Sequence, residues 1–190
     1  MKKIISILAL VLIISCKKES SSLVKDIVNE AKQTTKVVSH EGTGKVTLTC
    51  NGKQFVTTGI CGAVVSMGQL MVAVKDKTNP TKVFVINFNN EDFPEIGKTY
   101  TIKEQDYSSD VKGPKNQVSV SFSEGLPNSK MNSWGSDTAK GTLQFTANGN
   151  AITCSFKNIQ LSANTMFNPD DLDQNGFVTG ELTFYKNQKT

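Results

Sequence analysis

"KVTLTCNGKQFVTT", residues 45–58, sets two alternating runs on either side of Asn51-Gly52. Asn-Gly between such runs is the strongest short-range signal for a β-hairpin. A tight turn matched to the strand twist needs positive φ at both loop residues, and asparagine and glycine tolerate it best. With these two in the loop, Cys50 faces Lys53 and Leu48 faces Phe55, so Val46, Leu48, Cys50, Phe55 and Thr57 share one side. A slip of one residue would turn that whole set to solvent, so register and apolar pattern support each other. "GTLQFTA" (141–147) and "NAITCSF" (150–156) repeat the logic around Asn148-Gly149. That reading sets Phe145 against Ile152 and Leu143 against Cys154, and Phe156 continues the inner side.

Further alternating runs are "QLMVAVKD" (69–76), "TKVFVINFNN" (81–90), "KTYTIK" (98–103), "QVSVSFS" (117–123) and "FVTGELTFY" (177–185). Turn signals every 8–12 residues or so are the mark of a sandwich or barrel. The expectation is an all-β domain over residues 44–190, an antiparallel β-sandwich or barrel of about nine to ten strands. No long helical pattern interrupts it, which excludes alternating βαβ architectures. "EQDYSSDVKGPKN" (104–116) and "SEGLPNSKMNSWGSD" (123–137) lack alternation and read as long polar loops. Tyr107 and Trp134 stand in them. Each either folds back over an open end of the sheet or forms an exposed platform for a sugar ring, so the pair is the candidate ligand surface.

The first residues are of another kind. Lys2 and Lys3 precede an apolar run from Ile4 to Ile14 broken only by Ser6. That is the layout of a secretory signal, and it is shorter than the ~20 apolar residues a spanning helix needs. Ile13 is too bulky for the third-last position of an ordinary signal-peptidase site. The quartet Ile13-Ile14-Ser15-Cys16 instead resembles the lipobox of bacterial lipoproteins. The resemblance implies that the Cys16 sulfur receives a diacylglyceryl group, that residues 1–15 are removed, and that the new amino terminus is acylated. Several chains matter physically, because at ~0.8 kcal/mol per buried CH₂ a single chain holds only marginally. Lys17 stands where inner-membrane lipoproteins carry Asp, which favours the outer membrane. Glu19 alone is acidic after the cysteine, and this leaves the periplasmic and the outward face both open.

Residues 16–43 then read as a tether. Within "SSLVKDIVNEAKQTTK" (21–36), Leu23, Val24, Ile27, Val28 and Ala31 fall on one helical face, predicting a short amphipathic helix. The only histidine, His40, reads as a solvated linker residue. The order of lipobox, tether, opening "NGKQF" hairpin and closing "GTLQFTA…VTGELTF" strands resembles small outer-membrane lipoproteins of the Bacteroidetes kind. The resemblance implies a lipid-anchored single all-β domain and no particular activity.

Composition narrows the chemistry. All 21 basic residues are lysine, and the formal charge is +4. Without arginine's planar fork, nucleic acid and phosphate or carboxylate clamps are poor expectations. One histidine cannot supply Ser–His–Asp, Cys–His or multi-histidine metal sites. Glu91, Asp92, Glu95, Asp106 and Asp110 lie near loops and keep open the alternative of a glycan-acting hydrolase with paired carboxylates. None sits in the apolar setting that would raise its pKa for a general acid. The preferred reading is a membrane-anchored envelope lipoprotein with a non-catalytic domain, structural or binding a protein or glycan. Cys50, Cys61 and Cys154 are odd in number, so they form at most one disulfide or remain buried thiols.

"DDLDQNGFVTGEL" (170–182) carries the one cofactor candidate, calcium. Asp171, Asp173 and Asn175 alternate as in the first ligand positions of an EF-hand loop, Gly176 takes the turn, and the Phe177 carbonyl comes next. Glu181 falls one residue short of the closing carboxylate position, where Leu182 stands. The alternative is a polar hairpin loop turning at Asn175-Gly176.

Overall fold

The computed structural model describes residues 35–104, 114–136 and 141–187. Cys16 and the signal segment lie outside the described residues, as does the predicted helix up to residue 34. The strands are β1 (Thr35–Val37), β2 (Ser39–Cys50), β3 (Lys53–Ser66), β4 (Gln69–Asp76), β5 (Lys82–Phe88) and β6 (Thr99–Ile102). They continue as β7 (Gln117–Gly125), β8 (Met131–Gly135), β9 (Thr142–Asn148), β10 (Ala151–Ala163) and β11 (Gly176–Lys186). Nine of them close into a barrel in the order β3-β2-β11-β10-β9-β6-β7-β5-β4, with β4 returning to β3. The expected all-β class is the observed one, and the structure chooses barrel over sandwich.

The first hairpin forms as its residues require. Cys50 pairs with Lys53 and Leu48 with Phe55, and Asn51 and Gly52 adopt φ of 48° and 72°. The second hairpin differs in one respect. Asn148 pairs with Ala151 and Phe145 with Cys154, so Gly149 and Asn150 form the loop and Gly149 takes the positive φ of 60°. The slide relative to the expected register is two residues on the partner strand. It leaves every inward side chain inward, so apolar patterning alone could not distinguish the two pairings.

The domain also begins earlier than residue 44. Thr35 and Lys36, at the end of the predicted helix, already pair with Ser66 and Val65 in β3. Residues 39–43, assigned to the tether, are the first part of β2. Ser39 is buried, and its Oγ accepts a hydrogen bond from the Ala63 amide at 2.6 Å. His40 is exposed, as expected, yet it pairs with Tyr185 across the sheet rather than lying in a linker. Apolar alternation is missing from "SHEGTG", and two glycines there disguise a strand whose backbone does the work. The reason for one of them is close approach: a Cβ on Gly42 would lie 1.9 Å from the Thr183 carbonyl oxygen, where an irregularity between Thr183 and Tyr185 brings β11 toward β2.

Between β7 and β10 the wall is built differently at its two ends. At one end β6 and β9 fill the gap; at the other β8 alone bridges, pairing with β7 from Ser121 to Gly125 and with β10 at Ser162 and Ala163. The β6–β7 pair is parallel. Parallel neighbours need a long crossover, and "EQDYSSDVKGPKN" provides it, its residues 105–113 lying outside the described set.

The interior is solid. Trp134, Phe84, Phe88, Phe122, Phe145, Phe184, Leu48 and Leu70 are among its fully buried side chains. Phe88, Tyr100 and Phe145 pack as a trio with ring centroids 5.4–5.7 Å apart, a spacing at which tilted and edge contacts are favourable. Phe93 covers one end, 6.2 Å from Phe184 with the Lys186 ammonium over its outer face. Trp134, Phe55 and Leu172 close the other.

Because residue 42 sits in the seam between β2 and β11, Gly42→Ala should destabilise the domain by about 1–3 kcal/mol through overpacking. Denaturant unfolding reads this directly, and an unchanged midpoint would return the residue to a tether.

Candidate functional site

The segment expected to bind calcium folds as a strap over the end of the barrel. Asp170–Leu172 is a single 3₁₀ turn whose Leu172 is buried, and β11 starts at Gly176. Asn168 beneath it is buried and ties two elements together. Its Oδ1 accepts from the Ser133 amide at 2.6 Å, and its Nδ2 donates to the Leu172 carbonyl at 2.9 Å. The Gln174 carbonyl turns inward and accepts from the Trp134 Nε1 at 3.1 Å and the Cys50 thiol at 3.4 Å. The Asp171 carboxylate pairs with the Lys53 ammonium, and the Asn51 amide donates to the Asp171 carbonyl at 3.1 Å. The turn of the first hairpin is thus latched to the strap by both backbone and side chain.

In this geometry the residues of the expected calcium loop take separate places. Asp171 is directed at Lys53, whose hydrogen bond holds its carboxyl below the usual carboxylate range. Asp173 and Asn175 are exposed. Glu181 lies on the outer face of β11, between Ser155 and Lys45 in the sheet register. Phe177 is likewise a strand residue on the outer wall. Among the described residues no three or more His, Cys, Asp or Glu side chains are grouped to hold a metal ion. Alternating oxygens converge only on a coiled loop, and here the 3₁₀ turn and the early start of β11 spread them apart.

The loop reading of Trp134 is corrected. It is a strand residue on β8, fully buried, with its ring 5.1 Å from Phe55 and 6.3 Å from Phe122. The covering role is therefore the one it takes, and it cannot stack on a ligand. β8 escaped detection because the inward partner of Trp134 in the alternation is polar Asn132, which erases the apolar period. Tyr107, like Asp106 and Asp110, lies outside the described residues.

Among the described residues, the candidate carboxylates Asp92 and Glu95 each pair with a lysine. Asp92 joins Lys115 at 3.2 Å, and Glu95 joins Lys98 at 2.7 Å, both on the surface. Asp76 is different. Burial pushes its carboxyl up, but bonds from the Thr58, Asn79 and Thr78 amides and the Thr78 hydroxyl outweigh this and hold it well below the ordinary range. A general acid needs the opposite shift. Cys50, Cys61 and Cys154 are free thiols. Burial pushes Cys61 and Cys154 up to about 12 and raises Cys50 as well, away from the thiolate that nucleophilic chemistry uses.

The described outer wall carries a shallow groove of about 560 Å³, lined by Thr47, Thr49, Gln54, Asn158, Phe177 and Thr179. β2, β3, β10 and β11 each contribute. Phe177 is 46% exposed, opposite Thr49 on one side and Gln160 on the other. The signal for it was present in "GFVTGELTFY": Val178, Leu182 and Phe184 point inward, which leaves Phe177 an aromatic of the wrong parity. Comparisons with protein-family models, curated proteins and solved structures find no match.

Two measurements check the strap and the turn. Asn168→Ala should cost about 1–3 kcal/mol, because buried backbone groups lose their partners; a loss below a few tenths would show the strap to be unimportant. Asp76, with its folded pKa depressed, contributes stability that is present above its unfolded value near ~3.9 and disappears as pH falls through the folded one. The stability gap between wild type and Asp76→Ala should therefore be widest near neutrality and narrow below about pH 4. A gap unchanged into strong acid contradicts the assignment.

Proposed function

We propose that the chain is a membrane-anchored envelope lipoprotein whose barrel is a non-catalytic binding module. The observation that carries it is the lipobox, Ile13-Ile14-Ser15-Cys16, at the end of an apolar run too short to span a bilayer. Lys17 after the cysteine supports an outer-membrane address. The polarity of the barrel supports an anchor of this kind, since a membrane-spanning barrel faces lipid with apolar side chains and keeps polar ones inside. Here Lys45, Thr47 and Glu181 face outward, while Val46, Leu48 and Leu182 face in.

A solid interior supports recognition on the outside of the barrel, toward a protein or glycan partner. The absence of arginine throughout the sequence makes nucleic acid a poor partner. The hydrolase alternative gains no support from Asp76 or Asp171, whose carboxyls are both pushed down.

The test is Cys16→Ser, followed by metabolic labelling with a fatty acid and by membrane fractionation. Loss of label together with release from the membrane is the expected result. A variant that still incorporates fatty acid, or stays with the membrane without it, overturns the anchor.

A further inference from the structure

We propose that the groove around Phe177 binds a neutral oligosaccharide, with the Phe177 ring as the stacking surface. The assignment rests on the reading of the barrel as a binding module and names its ligand class. Three independent features point to it. The first is chemical. All the lining residues are uncharged, and apart from Phe177 they are hydroxyls or primary amides: Thr47, Thr49, Thr179, Gln54 and Asn158. Hydroxyls and amides both donate and accept, as sugar hydroxyls do, whereas an anion calls for cationic side chains and a cation for carboxylates. Lys45 and Glu181 are register neighbours on β2 and β11, beside the lining rather than within it.

The second feature is the ring itself. An outward phenylalanine on a strand leaves apolar surface in water, and here, flanked by Thr49 and Gln160 in the sheet, Phe177 stays 46% exposed. The apolar face of a pyranose ring would cover it while leaving the sugar hydroxyls to the rim.

The third is the shape of the wall. The β10–β11 ladder is interrupted between Phe156 and Ile159, and Asn158 stands there with a φ of 54°. Bulges re-aim side chains and concentrate near functional sites, and a non-glycine residue in this conformation carries backbone strain. The strained turn is fastened by the Asn158 amide donating to the Thr179 Oγ1 at 3.0 Å. It thereby raises one side of the groove and sets two of its polar groups. The volume of about 560 Å³ falls within the ~300–1,000 Å³ of small-ligand clefts. Because the groove is shallow and open, it suits a chain laid across the strands better than a single enclosed sugar.

The experiment uses the full lipidated chain in a detergent without a sugar headgroup. Calorimetry and ligand-observed NMR are run with neutral gluco-, manno- and N-acetylglucosamine oligomers and with an anionic uronic-acid oligomer. At least one neutral oligomer should bind at millimolar concentration or tighter. Phe177→Ala should weaken that binding about tenfold or more with the unfolding midpoint unchanged. Tyr185→Ala, which removes an exposed aromatic on the same strand outside the groove, should leave the affinity as it is. Thr179→Val, close in shape but lacking the hydroxyl, should weaken binding without abolishing it. The proposal is overturned if no neutral oligomer binds, if Phe177→Ala binds as well as wild type, or if the anionic oligomer is preferred. Those outcomes leave the anchor standing, because it is read separately by labelling of Cys16→Ser, and failure of that labelling leaves the groove standing.

Discussion

The pairing of β2 with β11 joins segments more than a hundred residues apart in sequence, from Phe177 with Thr49 to Lys186 with Ser39. Everything else in the wall follows from it. Without this seam the strands form an open strip with two edges, and each edge would present a row of unmet amide and carbonyl groups. With it, the neighbouring hairpins β2–β3 and β10–β11 become adjacent walls, and their inward residues enclose one core. The seam explains why small residues sit where they do. Gly42 and Gly180 are positions where a Cβ would strike the facing backbone, at 1.9 Å and 2.7 Å, so side chains are absent where strands must come closest. Since a contact of such sequence separation pays its loop-closure entropy before any reward, the barrel should form slowly and cooperatively.

Closure also decides where chemistry can happen. A barrel of this size has room for side chains or for one small ligand, and here the core is packed with side chains, mostly aromatic and aliphatic. Both ends are covered, one by Phe93 and the other by Trp134 and the strap carrying Leu172. Many outward positions of the wall are threonine, lysine and other polar residues, and Phe177 stands among them as an exposed aromatic, as Tyr185 does further along β11.

Much of the architecture was legible because its signals were local. Asn51-Gly52 set its hairpin register, and the alternation in residues 69–90 and 177–185 marked strands and their inner faces. The failures have physical causes. The register around Asn148-Gly149 slid by an even step, which preserves faces and is invisible to patterning. β8 was hidden by inward Asn132, and the start of β2 by glycines and by Ser39, whose burial is satisfied through a hydrogen bond rather than apolar contact. Within the expected calcium loop, Asp171 pairs with Lys53, a partner 118 residues away, and no reading of thirteen residues in isolation could show that. The groove was missed for the same reason: its residues come from four strands, and only Phe177 betrayed itself by parity.

The placement of β1 has a spatial consequence. Thr35 lies beside Ser66, at the Met67-Gly68 end of β3, whereas Gln54 of the groove stands near the opposite end of that strand. Twelve residues of strand separate them, about 40 Å at ~3.3 Å per residue. The Met67-Gly68 turn thus marks the end of the barrel at which the amino-terminal strand of the described residues pairs, and the Phe177 wall lies toward the opposite end. On the proposed anchoring, the barrel's own length would separate the groove from the end at which the described chain begins.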